Sequence, residues 1–567
     1  MEIFQSQLNR KLSEALAAAG FPPAGDVSPA TDPRFGDYQS NAALVLGKKR
    51  GENPRKIADA IVSRLDVAEI CEQPNVAGAG FINFTLKREA VEKKIAEMLH
   101  DERLGVASAT SPRKIVVDFG SPNVAKPMHV GHIRSTFLGD ALARIAEFLG
   151  HDVIRDNHIG DWGTQFGMVI WGWKNLLDLE SLKRDPIAEL VRIYKETNER
   201  ATKDEAVREA ARAELVKLQA GDPENYSIWK QCVDLSMREF SKAYELLDIH
   251  YDIVRGESFY NDRLPAVVER LLKSGLAEMS EGAVCVFFRD IPELVDKPCI
   301  IRKRDGGYNY ATTDVATVDY RINDLKANAI WYVVGAPQIL HFKQIFAIAR
   351  REGYTADFHH IAFGSILGAD RKLMKTRSGE NVPLHDLLEE GMTRARAIIA
   401  EKNPELAESE RNEIAKVIGI GAIKYADLSQ YRMTDYIFSW DKMLSLHGNT
   451  APYLQNAYVR IRSIFRKAGA VSLREAPALS EPAELNLAKR LSQFAEIVPQ
   501  VLNDFRPNIL ANYLFELANS FHTFYEACPV LKADEPVRSS RLALCDLTGR
   551  VLQRGLKLLG IDVPERM

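Results

Sequence analysis

The sequence predicts a multidomain α/β protein: an α+β N-terminal unit, a doubly wound nucleotide-binding unit with helical insertions, and an all-α C-terminal unit. A chain of 567 residues is too long for a single hydrophobic core. Residues 115 to 150 read as an apolar strand, a His-Val-Gly-His turn and an amphipathic helix, and strand, turn and helix keep alternating to about residue 385. Beyond about residue 386 the pattern is almost wholly helical, apart from a linker containing proline and alanine near 468 to 485.

The first unit spans residues 1–110. Ile3, Leu8, Leu12 and Leu16 form a helical stripe, Asn53-Pro54 opens another helix as N-cap and first-turn proline, and FINFTL at 81 to 86 reads as a strand. Between them, FGDYQSN is a turn-rich stretch whose Phe35, Tyr38, Gln39 and Asn41 combine aromatic and amide groups able to stack on and bond an unpaired base.

The second unit spans residues 111–385. Ile115, Val116 and Val117 are β-branched and too few for a helix, so they read as a buried parallel strand, whereas Leu138, Leu142, Ile145 and Leu149 recur at helical spacing. The turn between them holds His129, Gly131 and His132. A glycine there permits close approach of a ligand, the helix start attracts phosphate, and two imidazoles three residues apart can stabilise charge developing on an α-phosphate. GDWGTQFG at 160 to 167 is a close-approach turn that floors the site, with His158, Asp161 and Gln165 pointing inward. An insertion over about 176–300 begins with long charged helices to about 248, and EGAVCVFFRD at 281 to 290 returns to strand character.

A helical connecting region over 386–450 leads into an all-α unit over 451–567. On its first helix Arg460, Arg462, Arg466 and Lys467 are interleaved with Tyr458 and Phe465, the mixture of charge and ring faces that splayed bases need.

Composition is that of a globular protein, 46% apolar and 27% charged. A net charge of −3 argues weakly against a polyanionic partner gripped by the whole surface, so local basic patches must carry any RNA contact. No segment has the apolar length of a membrane span, and Met1 opens into a mixed polar helix without a secretory core. Cys71, Cys232, Cys285, Cys299, Cys528 and Cys545 contain no CxxC pair and read as reduced, buried thiols, with no zinc site and no other protein-held metal expected.

SPNVAKPMHVGH around the histidine turn, together with GDWGTQFG, YNYATTD at 308 to 314, LMKTRSG at 373 to 379, GNTAPYLQNAYVRIRS at 448 to 463, LGIDVPERM at the end and FGDYQSNAAL near the start, resembles the arginyl-tRNA synthetases among the class I aminoacyl-tRNA synthetases. The resemblance implies a Rossmann-type class I synthetase catalytic domain with helical insertions, an α+β N-terminal domain contacting the tRNA D-loop, and an all-α anticodon-binding bundle. It implies an arginine–tRNA ligase acting on L-arginine, ATP with Mg²⁺ and tRNA(Arg), monomeric, cytoplasmic and free of membrane. His129, Gly131 and His132 then bind ATP. LMKTR occupies the place of the family's KMSKS-type loop and lacks both of its lysines in their own positions; family variants of that kind carry a basic residue just ahead of the histidine turn. Lys126 stands there and becomes the phosphate clamp, with Lys375 and Arg377 assisting and Gly364 of FGSILG meeting the adenine through its backbone.

Arginine, a planar cation with donors only, is read best by carboxylates and amide oxygens. Asp118 ends the first strand, where an open sheet places ligand-binding residues, and Asp314 stands one helical turn after Tyr310. The resemblance assigns Asp118 and Asn123 to the α-amino and carboxylate groups, and Tyr310, Asp314 and Gln338 to the guanidinium. It assigns Phe35 and Gln39 to the D-loop side and Arg460, Arg462, Tyr525 and Met567 to the anticodon side. A cysteinyl or other class I synthetase, a smaller HxGH nucleotidyltransferase and a catalytically silent RNA-binding paralogue are the alternatives. The first lacks its zinc ligands here, the second leaves both ends of the chain unexplained, and the third conflicts with the presence of both histidines, Lys126, Asp118 and Asp314. The missing loop lysines predict that arginine activation requires bound tRNA.

Overall fold

A computed structural model describes residues 2–375, 381–469, 473 and 477–567. Its centre is a five-stranded parallel sheet in the order Asp357–His360, Ala329–Tyr332, Lys114–Asp118, Asp152–Asn157 and Ile253–Val254. The direction of winding reverses between Lys114–Asp118 and Ala329–Tyr332, and such a switch point leaves a ligand crevice at the carboxyl ends of the strands. Both faces of the first strand are covered, which explains its unbroken apolar run. Ile115 and Val117 enter the core that holds Phe137, Leu138 and Leu142 of the helix Val130–Phe148, while Val116 joins Ala311, Val315 and Ala316 of the helix Tyr310–Asn323 on the other side. Helix and strand approach so closely that a Cβ at Gly139 would lie 2.2 Å from Cγ of Phe119.

The N-terminal unit is a four-stranded antiparallel sheet, Val27–Pro29, Tyr38–Ser40, Phe81–Phe84 and Asn75–Ala77 in spatial order, covered by Phe4–Ala18 and its companion helices. The Asn53 side chain caps the helix Pro54–Val62 by accepting the Arg55 N–H at 2.9 Å. The unit is not separate in its packing. Its apolar residues merge with those of the C-terminal bundle in one core, because strand and helix faces from both ends of the chain are apolar and meet.

Four helices of the insertion, Leu179–Arg184, Pro186–Lys203, Glu205–Gln219 and Pro223–Leu246, start on the side chains of Asp178, Asp185, Asp204 and Asp222. A three-stranded antiparallel sheet follows, Ala277–Ser280, Ala283–Val286 and Cys299–Arg302.

Among the described residues after 384 the regular elements are helices with one exception. The short strand Tyr436–Ile437 pairs in parallel with Ile366–Leu367, a two-residue element with no periodicity to betray it. The six cysteines are buried and unpaired with each other. No described helix is long and apolar enough to cross a membrane.

Candidate active site

The first strand and the helix Val130–Phe148 meet at the switch point through the predicted histidine turn. His129 caps the helix in extended conformation; its Nδ1 accepts the Gly131 N–H at 3.0 Å, and Nδ1 of His132 accepts the His129 N–H at 3.1 Å. This reciprocal capping occupies one nitrogen of each ring, so each neutral imidazole carries its proton on Nε2 and donates with it. Burial, then the neighbouring His129, lowers the His132 pKa to about 4, and burial followed by the Lys126 charge lowers that of His129. The ring centroids lie 4.0 Å apart. Gly131 is needed for space, since a Cβ there would stand 2.8 Å from Cε1 of His129. Lys126 is exposed ahead of the turn, its Nζ 5.9 Å from the ring centre of Tyr194, so the helix Pro186–Lys203 reaches over this corner.

The loop segment is joined to the same turn. Leu367 bridges to Leu373 and Lys375 to Asn381. Immediately beyond, Val130 N donates to Val382 O at 2.9 Å and Leu384 N to Met128 O at 2.9 Å. Lys375 therefore stands exposed on a hairpin whose second leg is bonded to the histidine turn. Arg377 lies outside the described residues. The Gly364 N–H donates to Arg432 O at 2.9 Å, so its carbonyl is the backbone group left for an adenine. Glycine is required there because a Cβ would come within 2.6 Å of the Asp435 carboxylate.

Across the crevice, the helix Tyr310–Asn323 presents Tyr310 and Asp314 one turn apart, and both meet His341. Asp314 Oδ2 lies 2.6 Å from His341 Nε2, and the Tyr310 ring is centred 4.8 Å from the imidazole. Gln338 is exposed just before the helix Ile339–Arg351 that carries His341. Glu257 joins this group: burial, then the charges of Asp161 and Asp314, push its carboxyl up to about 7. A donor-only cation would relieve that strain on two carboxylates, which is the chemistry of a guanidinium pocket. Neither His341 nor Glu257 is identifiable from a motif; the placement of His341 three residues after Gln338 at a helix start is the one available signal.

Asp118 sits at the end of the first strand, but Oδ2 accepts from Arg321 at 2.7 Å and Oδ1 from Ser121 Oγ at 3.2 Å. Arg321 is fully buried and also bonds Asp156 at 2.9 Å. Asn123 is exposed on a segment that pairs with the glycine-rich turn, where a Cβ at Gly160 would lie 2.3 Å from its Oδ1. The Asp161 oxygens accept the Ser258 N–H at 2.9 Å and Oγ–H at 2.6 Å, tying the turn to the segment after the edge strand Ile253–Val254, beside Glu257. Gln165 folds back beside Gly163, and His158 packs its ring 5.7 Å from Tyr260. Among the described residues no three His, Cys, Asp or Glu side chains converge on a metal-sized site.

Two further surfaces carry the remaining predicted residues. Arg460, Tyr525 and Met567 line one cavity of about 670 Å³ together with Arg466 and Lys467. The Arg460 guanidinium lies 5.6 Å over the Tyr525 ring. Arg462 is turned elsewhere, paired with Glu565 at 3.0 Å, because it is two residues from Arg460 and so faces another side of the helix. On the N-terminal sheet Phe35 is exposed and Gln39 is partly buried, its amide donating to Asn83 Oδ1 at 2.8 Å. Tyr38 alternates inward and donates to Glu496 at 2.8 Å, so it is a joint with the C-terminal bundle and not a stacking platform.

Comparison with known proteins accounts for the whole chain. Residues 4–86 match the family described as arginyl tRNA synthetase N terminal domain, 94–440 that of tRNA synthetases class I (R), catalytic domain, and 454–567 the DALR anticodon binding domain. The chain is 49% identical over 586 residues to an arginine–tRNA ligase of Nostoc punctiforme, covering 100% of both, and 47% identical over 583 residues to one of Synechococcus elongatus, covering 99% of both. The crystal structure of the arginyl-tRNA synthetase of Plasmodium falciparum superposes with a TM-score of 0.88 at 30% identity, and the Thermus thermophilus arginyl-tRNA synthetase with 0.86 at 28%, each covering 100% of both chains.

Proposed function

The chain belongs to the arginyl-tRNA synthetase family, and from that membership we propose how its residues divide the work of charging tRNA(Arg). It is an ATP-dependent aminoacyl-tRNA ligase that joins arginine to tRNA(Arg). In the first step an oxygen of the arginine carboxylate attacks the α-phosphorus, the bond from that phosphorus to the bridging oxygen breaks, and pyrophosphate leaves. In the second a ribose hydroxyl at the tRNA 3′ end attacks the arginyl carbonyl carbon and AMP leaves. Both steps ask the protein for orientation and for donors aimed at developing negative charge.

The observation that carries the division of roles is the reciprocal capping of the histidine turn, which leaves two neutral Nε2–H donors beside a loop hairpin on one side and a carboxylate group on the other. His129 and His132 hold the α-phosphate, and Gly131 keeps the rings in place. Lys126 neutralises the outer phosphates, with Lys375 and Arg377 assisting. Mg²⁺ arrives with the triphosphate, and no protein-held zinc is involved. Asp314, Tyr310 and Gln338 receive the guanidinium, with His341 orienting the Asp314 carboxylate and Glu257 adding a second carboxylate. Asn123 and Asp118 face the amino-acid end, Asp118 being fixed in place by Arg321. Phe35 and Gln39 lie on the D-loop side, while Arg460, Tyr525 and Met567 take the anticodon. Arg462 contributes through its pair with Glu565. The enzyme works as a monomer in the cytoplasm and requires tRNA for activation.

ATP–pyrophosphate exchange with each standard amino acid, with and without total tRNA, tests the reading. Exchange with arginine alone and only with tRNA present is expected. Exchange without tRNA removes the coupling, and exchange with another amino acid removes the pocket assignment.

A further inference from the structure

Arg134 and Asp427 form a buried ion pair to which no step above assigns a role. Arg134 follows His132 by two residues in the first turns of the helix Val130–Phe148, and Asp427 lies in the last turn of the helix Glu408–Leu428. Both side chains are shut from solvent, and Nε of Arg134 stands 2.8 Å from Oδ1 of Asp427. Nη1 of Arg134 donates to Thr434 O at 2.9 Å, and the guanidinium lies 5.3 Å over the ring of Tyr436. Tyr436 in turn donates its N–H to Ser365 O at 3.2 Å and pairs with Ile366, whose neighbour Leu367 bridges to Leu373 on the first leg of the loop hairpin. The second leg is bonded back to Met128 and Val130 at the histidine turn. The contacts close into a ring: histidine turn, Arg134, Asp427 with Tyr436, hairpin, histidine turn.

We propose that Arg134 and Asp427 are positioning residues that set the separation between the histidine turn and the loop hairpin, and hence the width of the ATP phosphate cradle. This rests on the reading that those two segments hold ATP. A buried ion pair contributes little net stability compared with apolar residues of similar size, because desolvation offsets attraction. What it supplies is direction. The Nη1 hydrogen bond to Thr434 O, the guanidinium charge beside Asp427 and its face over the Tyr436 ring leave one register, where an apolar contact would let the helix end slide. The groups facing the pair are Tyr436 and the Thr434 carbonyl from the strand segment.

Two variants test this by pyrophosphate exchange with tRNA present: Asp427→Asn, and the apolar double variant Arg134→Met with Asp427→Leu. Both are expected to keep the Kd for tRNA while kcat/KM for ATP falls roughly 10- to 100-fold, the scale of loss for about 1 Å of misplacement; the double variant should also keep the wild-type thermal midpoint within a few degrees, whereas Asp427→Asn, which leaves the buried Arg134 unpaired, should lower it. The KM for arginine should stay within about twofold, since its pocket lies on other elements. Normal kcat/KM for ATP in the double variant overturns the proposal. So does unfolding of that variant, which would make the pair a requirement of the fold, or a parallel loss in ATP, arginine and tRNA parameters. His132→Ala separates the underlying reading: if it retains full exchange, the histidine turn does not bind ATP, and the failure lies there and not in the positioning pair.

Discussion

Replacing Asp314 by asparagine tests the guanidinium pocket most directly. The carboxylate is four-fifths buried and held by His341 at 2.6 Å, so the asparagine occupies the same place with little rearrangement. The change removes a negative charge and turns half of the acceptor face into a donor, against a ligand that has only donors. Hydrogen bonds to charged groups contribute about 1.5–3 kcal/mol, which at 1.4 kcal/mol per decade is about a 10- to 150-fold rise in the KM for arginine. Citrulline, the neutral ureido analogue, carries an oxygen acceptor where arginine has a nitrogen and no charge. Its inhibition constant should change little or improve. The assay is pyrophosphate exchange with arginine as substrate and citrulline as competitor, with the KM for ATP as internal control. A KM for arginine within twofold of wild type, or equal weakening of arginine and citrulline, would refute the idea that Asp314 reads the cation.

Three further outcomes follow from the same geometry. Lys126→Ala should lower kcat/KM for ATP about 10- to 100-fold while leaving the Kd for tRNA unchanged; retained exchange would pass the phosphate role to Lys375. Arg321→Met leaves Asp118 and Asp156 buried without a cation and should cost about 3–5 kcal/mol of stability at pH 7.5. Burial already raises the Asp156 carboxyl and the variant removes the cation that opposes it, so stability present at low pH is lost as pH rises, and the deficit in thermal midpoint should shrink towards pH 5; a deficit independent of pH would mean lost packing. At the joint between the N-terminal sheet and the bundle, burial raises the Glu496 carboxyl from the usual 4.5 to about 6. Folded pKa above unfolded pKa means the stabilisation is complete below 4.5 and fades through 6, about 2 kcal/mol in all. Glu496→Gln keeps an acceptor for Tyr38 and Gln5 and should flatten that dependence, read as the protease resistance of residues 4–86 between pH 4.5 and 7.

Much of the fold and part of the site are legible in the sequence because they are local. The β-branched run before the histidine turn, the stripe of Leu138, Leu142 and Ile145, and the aspartates that cap the inserted helices act within a few residues, where period and capping chemistry decide the outcome. Tyr310 and Asp314 share a face for the same reason. Partners far apart in the chain are another matter. That Asp314 faces His341, that Glu257 feels the charges of Asp161 and Asp314, that Arg134 meets Asp427, and that Asp435 occupies the space beside Gly364 depend on how the sheet is wound and where the connecting helix ends. In FGDYQSN the strand pleat sends Tyr38 inward and Gln39 outward, a choice fixed only by pairing with Phe81–Phe84 and docking on Glu496. Sequence determined which segments become strand, turn and helix and which residue types meet the substrates; the tertiary structure decided which charges are spent on each other, because burial and pairing energies exist only once distant segments exclude water together.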